Sequence, residues 1–256
     1  MSAYRPVTSA WTALLLTACA PVYRPPAPFV PLLEEPGDVN LAAQLGVGGA
    51  QLDGAVAVSD AMAVRGGAQA GGWALDGHYG VGRLGVGLYS GNDRGTRWAV
   101  WLDAGGGLTR YTGNFQVPNP NGAVTTTTTT TTDGDVTTTT TERVWIREER
   151  TYSGPLLLGA VRPQLGHEGK VLSPSLVLGL GYHTLFHDAQ SASSGTSVGL
   201  TFEPTGVLRL GGGEASIAAA QAWLGLVAPI IASGDENIPL PVNAGLGLTV
   251  DLDRRN

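Results

Sequence analysis

The chain contains one cysteine, Cys19, among 256 residues, so an internal disulfide is excluded. It is also short of charge, with Asp, Glu, Lys and Arg at 14%, against roughly 25% in ordinary soluble domains. A globule of this size in water normally shows more charge, so something other than water is expected to cover part of this surface. The formal net charge of −6 and the lack of any basic cluster larger than Arg254-Arg255 argue against nucleic acid as a partner. Long apolar runs are missing. After Pro6 there are only about a dozen apolar residues before Cys19, where a transmembrane helix needs roughly 20. Helical periodicity is scarce too. Only Glu214 to Leu226, with its alanines, would suit a helix, and its context makes it a strand. Gly82 and Gly105-Gly106-Gly107 lie in strand-like segments with no helix to follow, so they do not form a phosphate cradle. Glycine there is expected to relieve crowding where strands curve.

The first positive signal closes the apolar run Trp11 to Ala18, which is preceded by a single basic residue, Arg5. The sequence Leu16-Thr17-Ala18-Cys19 resembles the lipobox of bacterial lipoproteins. The resemblance implies export, acylation of the Cys19 sulfur and cleavage between Ala18 and Cys19. Residues 1–18 would then be a signal peptide, and the mature chain would begin as a lipidated cysteine. Lipid on Cys19 also accounts for a lone cysteine better than redox chemistry does. Ala20, where enterobacterial lipoproteins held at the inner membrane carry aspartate, favours passage to the outer membrane.

Six prolines (21, 25, 26, 28, 31 and 36) fall between Ala20 and Val39. Such density favours extended polyproline II structure. The segment 19–39 reads as a tether between lipid and body, kept solvated by Glu34-Glu35. The alternative is a segment, Phe29 to Leu33, lying against the body. From Asn40 onward the pattern changes to alternating segments rich in Gly, Val, Leu and Ala, in which every second side chain shares a strand face. In the last, Val242, Ala244, Leu246, Leu248, Val250 and Leu252 oppose Asn243, Gly245, Gly247, Thr249 and Asp251. Another sets Val198, Leu200, Phe202, Pro204, Gly206, Leu208 and Leu210 against Ser197, Gly199, Thr201, Glu203, Thr205, Val207 and Arg209.

Ten such segments occur, at roughly 41–49, 51–59, 62–70, 78–89, 97–111, 151–164, 173–186, 197–210, 215–228 and 242–252. Most are longer than the usual strand of about 5 or 6 residues, and a tilted membrane-spanning strand needs about 9 to 11. With a lipidated start on the periplasmic side, the connections after the second, fourth, sixth and eighth strands are periplasmic, and they are short. The outward connections include Gly71 to Gly77, Thr112 to Arg150, Asp188 to Thr196 and Ile230 to Pro241. Short turns inside and long loops outside are the habit of outer-membrane barrels.

The chain thus resembles a small outer-membrane β-barrel. It is also similar to a loosely defined group of bacterial lipoproteins, through Pro31-Leu32-Leu33-Glu34-Glu35-Pro36-Gly37 and the turn Ala57-Val58-Ser59-Asp60-Ala61. It departs from many such barrels in ending Asp253-Arg254-Arg255-Asn256, without the terminal aromatic used as an assembly signal.

The fold expected is all-β: an antiparallel up-and-down barrel of about ten strands over 40–256. Threonines 125–132 and 137–141 flank Asp133-Gly134, and Asp-Gly suits a tight hairpin turn. They predict a ribbon within 112–150 that extends strands five and six, with unstructured low-complexity sequence as the alternative. Asp103, Thr201, Glu203, Arg209 and Asp251 fall on faces pointing inward, where opposite charges pair because burial alone is costly. The aromatics Tyr79, Tyr89, Trp98, Tyr111, Tyr182 and Phe186 are expected at the membrane interfaces.

No cofactor or metal is expected. His183 and His187 share a strand face about 13 Å apart, at roughly 3.3 Å per residue, too far for one ion. His187 and Asp188 are the only weak catalytic candidates. The expected role is structural or surface-binding, in contact with outer-membrane lipid and with a surface ligand or envelope protein through loops 112–150, 188–196 and 230–241. Three other readings stay open: a soluble periplasmic lipid-anchored domain, a barrel enzyme acting on envelope lipid or peptide, and a narrow channel.

Overall fold

The computed structural model describes residues 25–31, 33–72, 77–91, 95–118, 125–130, 137–142, 145–169, 171–189, 195–211, 218–232 and 242–252. Strands alone make up the regular structure among them. In chain order these are β1 (Val39–Gly46), β2 (Gly49–Ala57), β3 (Met62–Gly71), β4 (Gly77–Gly91), β5 (Thr96–Pro118), β6 (Thr125–Thr130) and β7 (Thr137–Glu142). Then follow β8 (Trp145–His167), β9 (Leu172–Ala189), β10 (Gly195–Gly211), β11 (Ala218–Leu226), β12 (Ala228–Ala232) and β13 (Val242–Asp251).

Ten of these close into a ring in the order β1, β2, β3, β4, β5, β8, β9, β10, β11, β13, every neighbour antiparallel. The seam is the ladder from Asn40↔Asp251 to Gly46↔Gly245. Closure leaves the ring no edge to protect, which is how an all-antiparallel sheet avoids exposed backbone groups. One further strand of the same sheet lies outside the ring. After Val227, β12 continues along β10, with a register shift between Leu200 and Thr201. The alanine-rich stretch that could suit a helix is strand β11, held between β10 and β13.

All ten expected segments are ring strands, and the polarity of the ring is inverted relative to a soluble protein. In β10 the residues Ser197, Thr201, Glu203, Thr205, Val207 and Arg209 are buried, while Phe202, Leu208 and Leu210 are exposed. In β13, Thr249 and Asp251 are buried, whereas Leu246 is 68% exposed. Thirty-five large apolar side chains are exposed among the described residues, far beyond the isolated apolar residues of a monomer in water.

Prolines inside the ring show how a barrel accommodates residues that lack an N–H. The β8–β9 ladder skips Pro155 and Pro163, pairing Ser153 with Asp188, then Leu156 with Leu185, and Val161 with Leu180, then Gln164 with Val177. Gly105 and Gly107 sit where any side chain would collide with the backbone of Gly82 and Gly80, as expected of crowding glycines. Gly82 itself faces open space, so crowding does not explain it.

Beyond Thr112 and Thr151 the sheet narrows to the two strands β5 and β8, paired out to Pro118↔Trp145. Each has 23 residues, or about 76 Å at roughly 3.3 Å per residue, more than twice what crossing a bilayer takes. The threonine runs pair as a separate hairpin, Thr125↔Glu142 to Thr130↔Thr137. Asp133-Gly134 lies outside the described residues. Thus 112–118 and 145–150 are strand rather than loop, and the expected ribbon is formed.

The largest difference from expectation is the proline-rich segment. From Pro25 to Val30, and again at Leu33, it is buried inside the barrel rather than solvated as a tether. The reason is physical: a narrow extended chain with few N–H groups fills a tube that side chains alone leave open. Its run ends in a turn, where Glu34 and Glu35 N–H groups donate to Asp38 Oδ2 at 2.6 and 3.0 Å. Gly37 there takes a φ of 98°, open to glycine at little cost.

Candidate functional site

The interior of the barrel is where chemistry-bearing residues converge, and its centre is the leader 25–33. Proline carries no N–H, so a segment reading Pro-Pro-Ala-Pro-Phe-Val presents mostly carbonyl acceptors. The wall answers with side-chain donors. Asn243 donates to Pro26 O at 3.0 Å, and Gln51 Nε2 donates to Ala27 O at 3.0 Å. Gln44 and Gln221 both donate to Pro28 O, at 2.8 and 2.9 Å. Gln164 donates to Phe29 O at 2.9 Å, with the Arg65 guanidinium at 3.4 Å from the same oxygen. Arg209 approaches Val30 O at 3.5 Å. In return the Ala27 N–H donates to Gln51 Oε1 at 2.9 Å. Strands β1, β2, β3, β8, β10, β11 and β13 all contribute, so the leader is encircled.

A charged network surrounds this core. Asp103 accepts from Arg65 Nε at 2.7 Å and from an Arg65 terminal nitrogen at 2.5 Å, and its second partner, Arg162, stands 2.6 Å away. Arg162 reaches on to Glu203 at 3.5 Å, and Thr201 donates to Glu203 at 2.8 Å. Arg83 pairs with Asp53 at 2.6 Å. Two arginines on one carboxylate, with a second carboxylate behind, hold the interior near neutrality, which buried charge requires. Trp101 is fully buried beside it. The Arg65 guanidinium lies 4.4 Å from the centre of the indole ring, and the indole N–H donates to Gln164 at 3.2 Å.

The leader's apolar side chains find two small cores. Phe29 and Leu33 pack with Ala42, Ala55, Ala57, Ala63, Tyr89, Ala99 and Trp101, where inward alanines leave room for the guest. Ala27 and Val30 pack with Val177, Val207 and Trp223.

Of the residues singled out from sequence, Asp103, Thr201, Glu203, Arg209 and Asp251 are all buried in the interior. Asp103 and Glu203 share the Arg162 network, Arg209 donates to Thr249 at 2.7 Å, and Asp251 accepts from Asn40. Ala18 and Cys19 lie outside the described residues. His187 and Asp188 are close to the end of β9, paired with Gly195 and Ser153. Among the described residues no three His, Cys, Asp or Glu side chains cluster as metal ligands.

Two aromatics expected in the interfacial girdle point the other way. Tyr79 and Tyr89 share the inward parity of Val81, and their hydroxyls donate to the carbonyls of Gly48 and Ser59. Trp98, Tyr182 and Phe186 are exposed on the outer face. Sequence reasoning placed Asn243 on the polar face without giving it a role, and missed the inward amides Gln44, Gln51, Gln164 and Gln221. The available signal was their parity: each alternates with an outward apolar or small residue, beside a leader rich in acceptors.

Comparison with known protein families, curated proteins and solved structures finds no match to this chain.

Proposed function

We propose that this chain is a lipid-anchored β-barrel protein of the bacterial outer membrane, with a structural or surface-binding role. The observation that carries the reading is the inversion of polarity. The ring sets Leu52, Leu84, Leu108, Leu224 and Leu246 outward, while arginines, carboxylates and amides face a centre filled by the chain's own leader. Hydrocarbon is the surrounding that makes such an exterior favourable, at about 25 cal/mol for each Å² kept from water.

The filled interior favours a platform over a conduit. Among the described residues the centre holds the leader, the indoles of Trp101 and Trp223, and an arginine–carboxylate network. The feature such a platform presents is the long β5–β8 ribbon, which supplies contact area for a ligand or envelope protein. Lipidation of Cys19, suggested by Leu16-Thr17-Ala18-Cys19, adds a second hold on the bilayer.

The test is made on membranes from cells expressing the full chain. A membrane-embedded barrel should resist extraction by carbonate and migrate faster on a gel unboiled than boiled. Release into buffer once the chain is cut between Cys19 and Pro25 would assign the protein to the soluble periplasmic reading instead. Acyl labelling that disappears in Cys19→Ala checks the anchor.

A further inference from the structure

The leader has a direction, and it runs against the one its anchor would suggest. Pro25 sits beside Gly48, in the turn between β1 and β2. Pro26 meets Asn243, near the start of β13 and just after the 233–241 loop. Ala27 and Pro28 meet Gln51, Gln44 and Gln221, farther along the tube. Phe29 meets Gln164, close to the end of β8, and Val30 meets Arg209, close to the end of β10. Leu33 packs near Ala57 and Ala63, and Glu34 pairs with Arg97, at the start of β5, at 2.6 Å. The chain therefore enters at the loop end, the one that bears the ribbon and the long connection from β11 to β13. It travels the length of the interior, turns at 34–38 at the short-turn end, and only then begins β1.

From this we infer that the polypeptide preceding Pro25 leaves the barrel at the loop end, which places Cys19 and its acyl chain in the leaflet on the loop side. The inference rests on the outer-membrane reading above, in which short turns face the periplasm and long loops face outward. The anchor then belongs to the outer leaflet, at the cell surface. The periplasmic start assumed from the lipobox holds for β1 but not for the segment before it.

Chain length permits no detour. Five residues lie between Cys19 and Pro25, and the six steps from one to the other span at most about 22 Å when fully extended. A return outside the barrel must cross a hydrocarbon layer of about 30 Å. A return through the interior is blocked, because the leader itself occupies it. An acyl chain at the loop end instead lies beside the exposed Leu45 and Leu246, near the loop-side rim, without crossing anything.

The test places a short epitope between Val22 and Tyr23 of the full chain, signal segment retained. Control epitopes are set in the 233–241 loop and, separately, in the 92–95 turn. Antibody is applied to intact cells and to cells with a permeabilised outer membrane. The expected result is labelling of the leader and loop epitopes on intact cells, at least tenfold above the 92–95 epitope, which needs permeabilisation. A leader epitope that behaves like the 92–95 control, with the loop epitope surface-exposed, overturns the inference. A leader and loop pair labelled only after permeabilisation, with 92–95 exposed, overturns the surface placement while keeping the threaded path. If all three epitopes require permeabilisation, the outer-membrane reading itself fails.

A second measurement guards against an epitope that disturbs folding. The pair Ala27→Cys and Gln51→Cys, whose native residues meet through the Ala27 N to Gln51 Oε1 contact at 2.9 Å, should be joined by a short reducible bis-thiosulfonate linker that replaces the reach of the lost amide arm, giving an internal cross-link that alters migration until reduced. A heat-modifiable barrel that never forms this cross-link would show that the leader lies elsewhere.

Discussion

Asn40 Nδ2 lies 2.5 Å from Asp251 Oδ1, a buried hydrogen bond joining the first strand of the ring to the last. The two residues are 211 positions apart, and they are directly paired in the ladder that closes the cylinder. This bond ties the seam from within. Replacing Asn40 by Ala removes a bond to a charged group, which typically costs about 1.5–3 kcal/mol. The midpoint for loss of the compact, unboiled gel form should fall, with no change in migration at low temperature. An unchanged midpoint would mean the seam does not depend on this pair.

Asp103 is the hub of the interior, accepting from Arg65 and Arg162 at 2.5 and 2.6 Å. Asp103→Ala leaves two guanidinium groups short of their shared carboxylate. Losing one partner of a buried pair costs about 3–5 kcal/mol. The double variant Arg65→Met, Asp103→Leu should be less destabilised than the single one, because it removes one charge of each sign and leaves Arg162 with Glu203. Denaturant unfolding in detergent gives the order, and a double variant weaker than the single would refute the hub.

Phe29 is 3% exposed, and its ring packs in the alanine-lined core with Trp101. Phe29→Ala should cost about 3–5 kcal/mol, the range for deleting a buried aromatic ring. Were the leader a free tether, the same change would cost nothing. Removing residues 25–33 entirely should raise single-molecule conductance in planar bilayers above that of the complete chain, because the tube loses its central occupant.

Leu84 is 75% exposed near the middle of β4. In water, Leu84→Arg would be neutral or better. In a bilayer a cation near the midplane of a barrel's outer face costs about 2–4 kcal/mol. Leu84→Arg should therefore reduce the heat-modifiable fraction recovered from membranes, while arginine at Asp60, in an exposed turn, should not. Equal recovery of both variants would argue for an aqueous exterior.

The architecture was legible because period-two alternation is a local property of sequence. Leu246, Leu248 and Val250 against Thr249 and Asp251 state their two faces without reference to any partner strand. Which face points inward also follows, since a chain so poor in charge cannot coat itself for water. The path of the leader was not legible on those grounds. Proline density predicts an extended backbone, and the same backbone suits a solvated tether or a guest held in a tube. What separates them is donors supplied from up to 217 positions away, as between Asn243 and Pro26. Tyr79 and Tyr89 were misplaced for a related reason. An aromatic near a strand end suits the bilayer interface or an inward hydroxyl, and only parity with Val81 decides between them. The threonine ribbon was legible from strand propensity and turn chemistry, whereas the separation of β6 and β7 from β5 and β8 was not.

A cylinder that encloses a stretch of its own backbone constrains the sequence of events that built it. Arg209, Gln221 and Trp223 are buried around it and leave no free passage through which residues 25–33 could be drawn afterwards. The wall must therefore wrap around the leader, with the Asn40 to Asp251 seam as one of its fastenings. Once the ring is fastened, the enclosed stretch is held like a cord through a bead, and it can be withdrawn only by undoing a clasp.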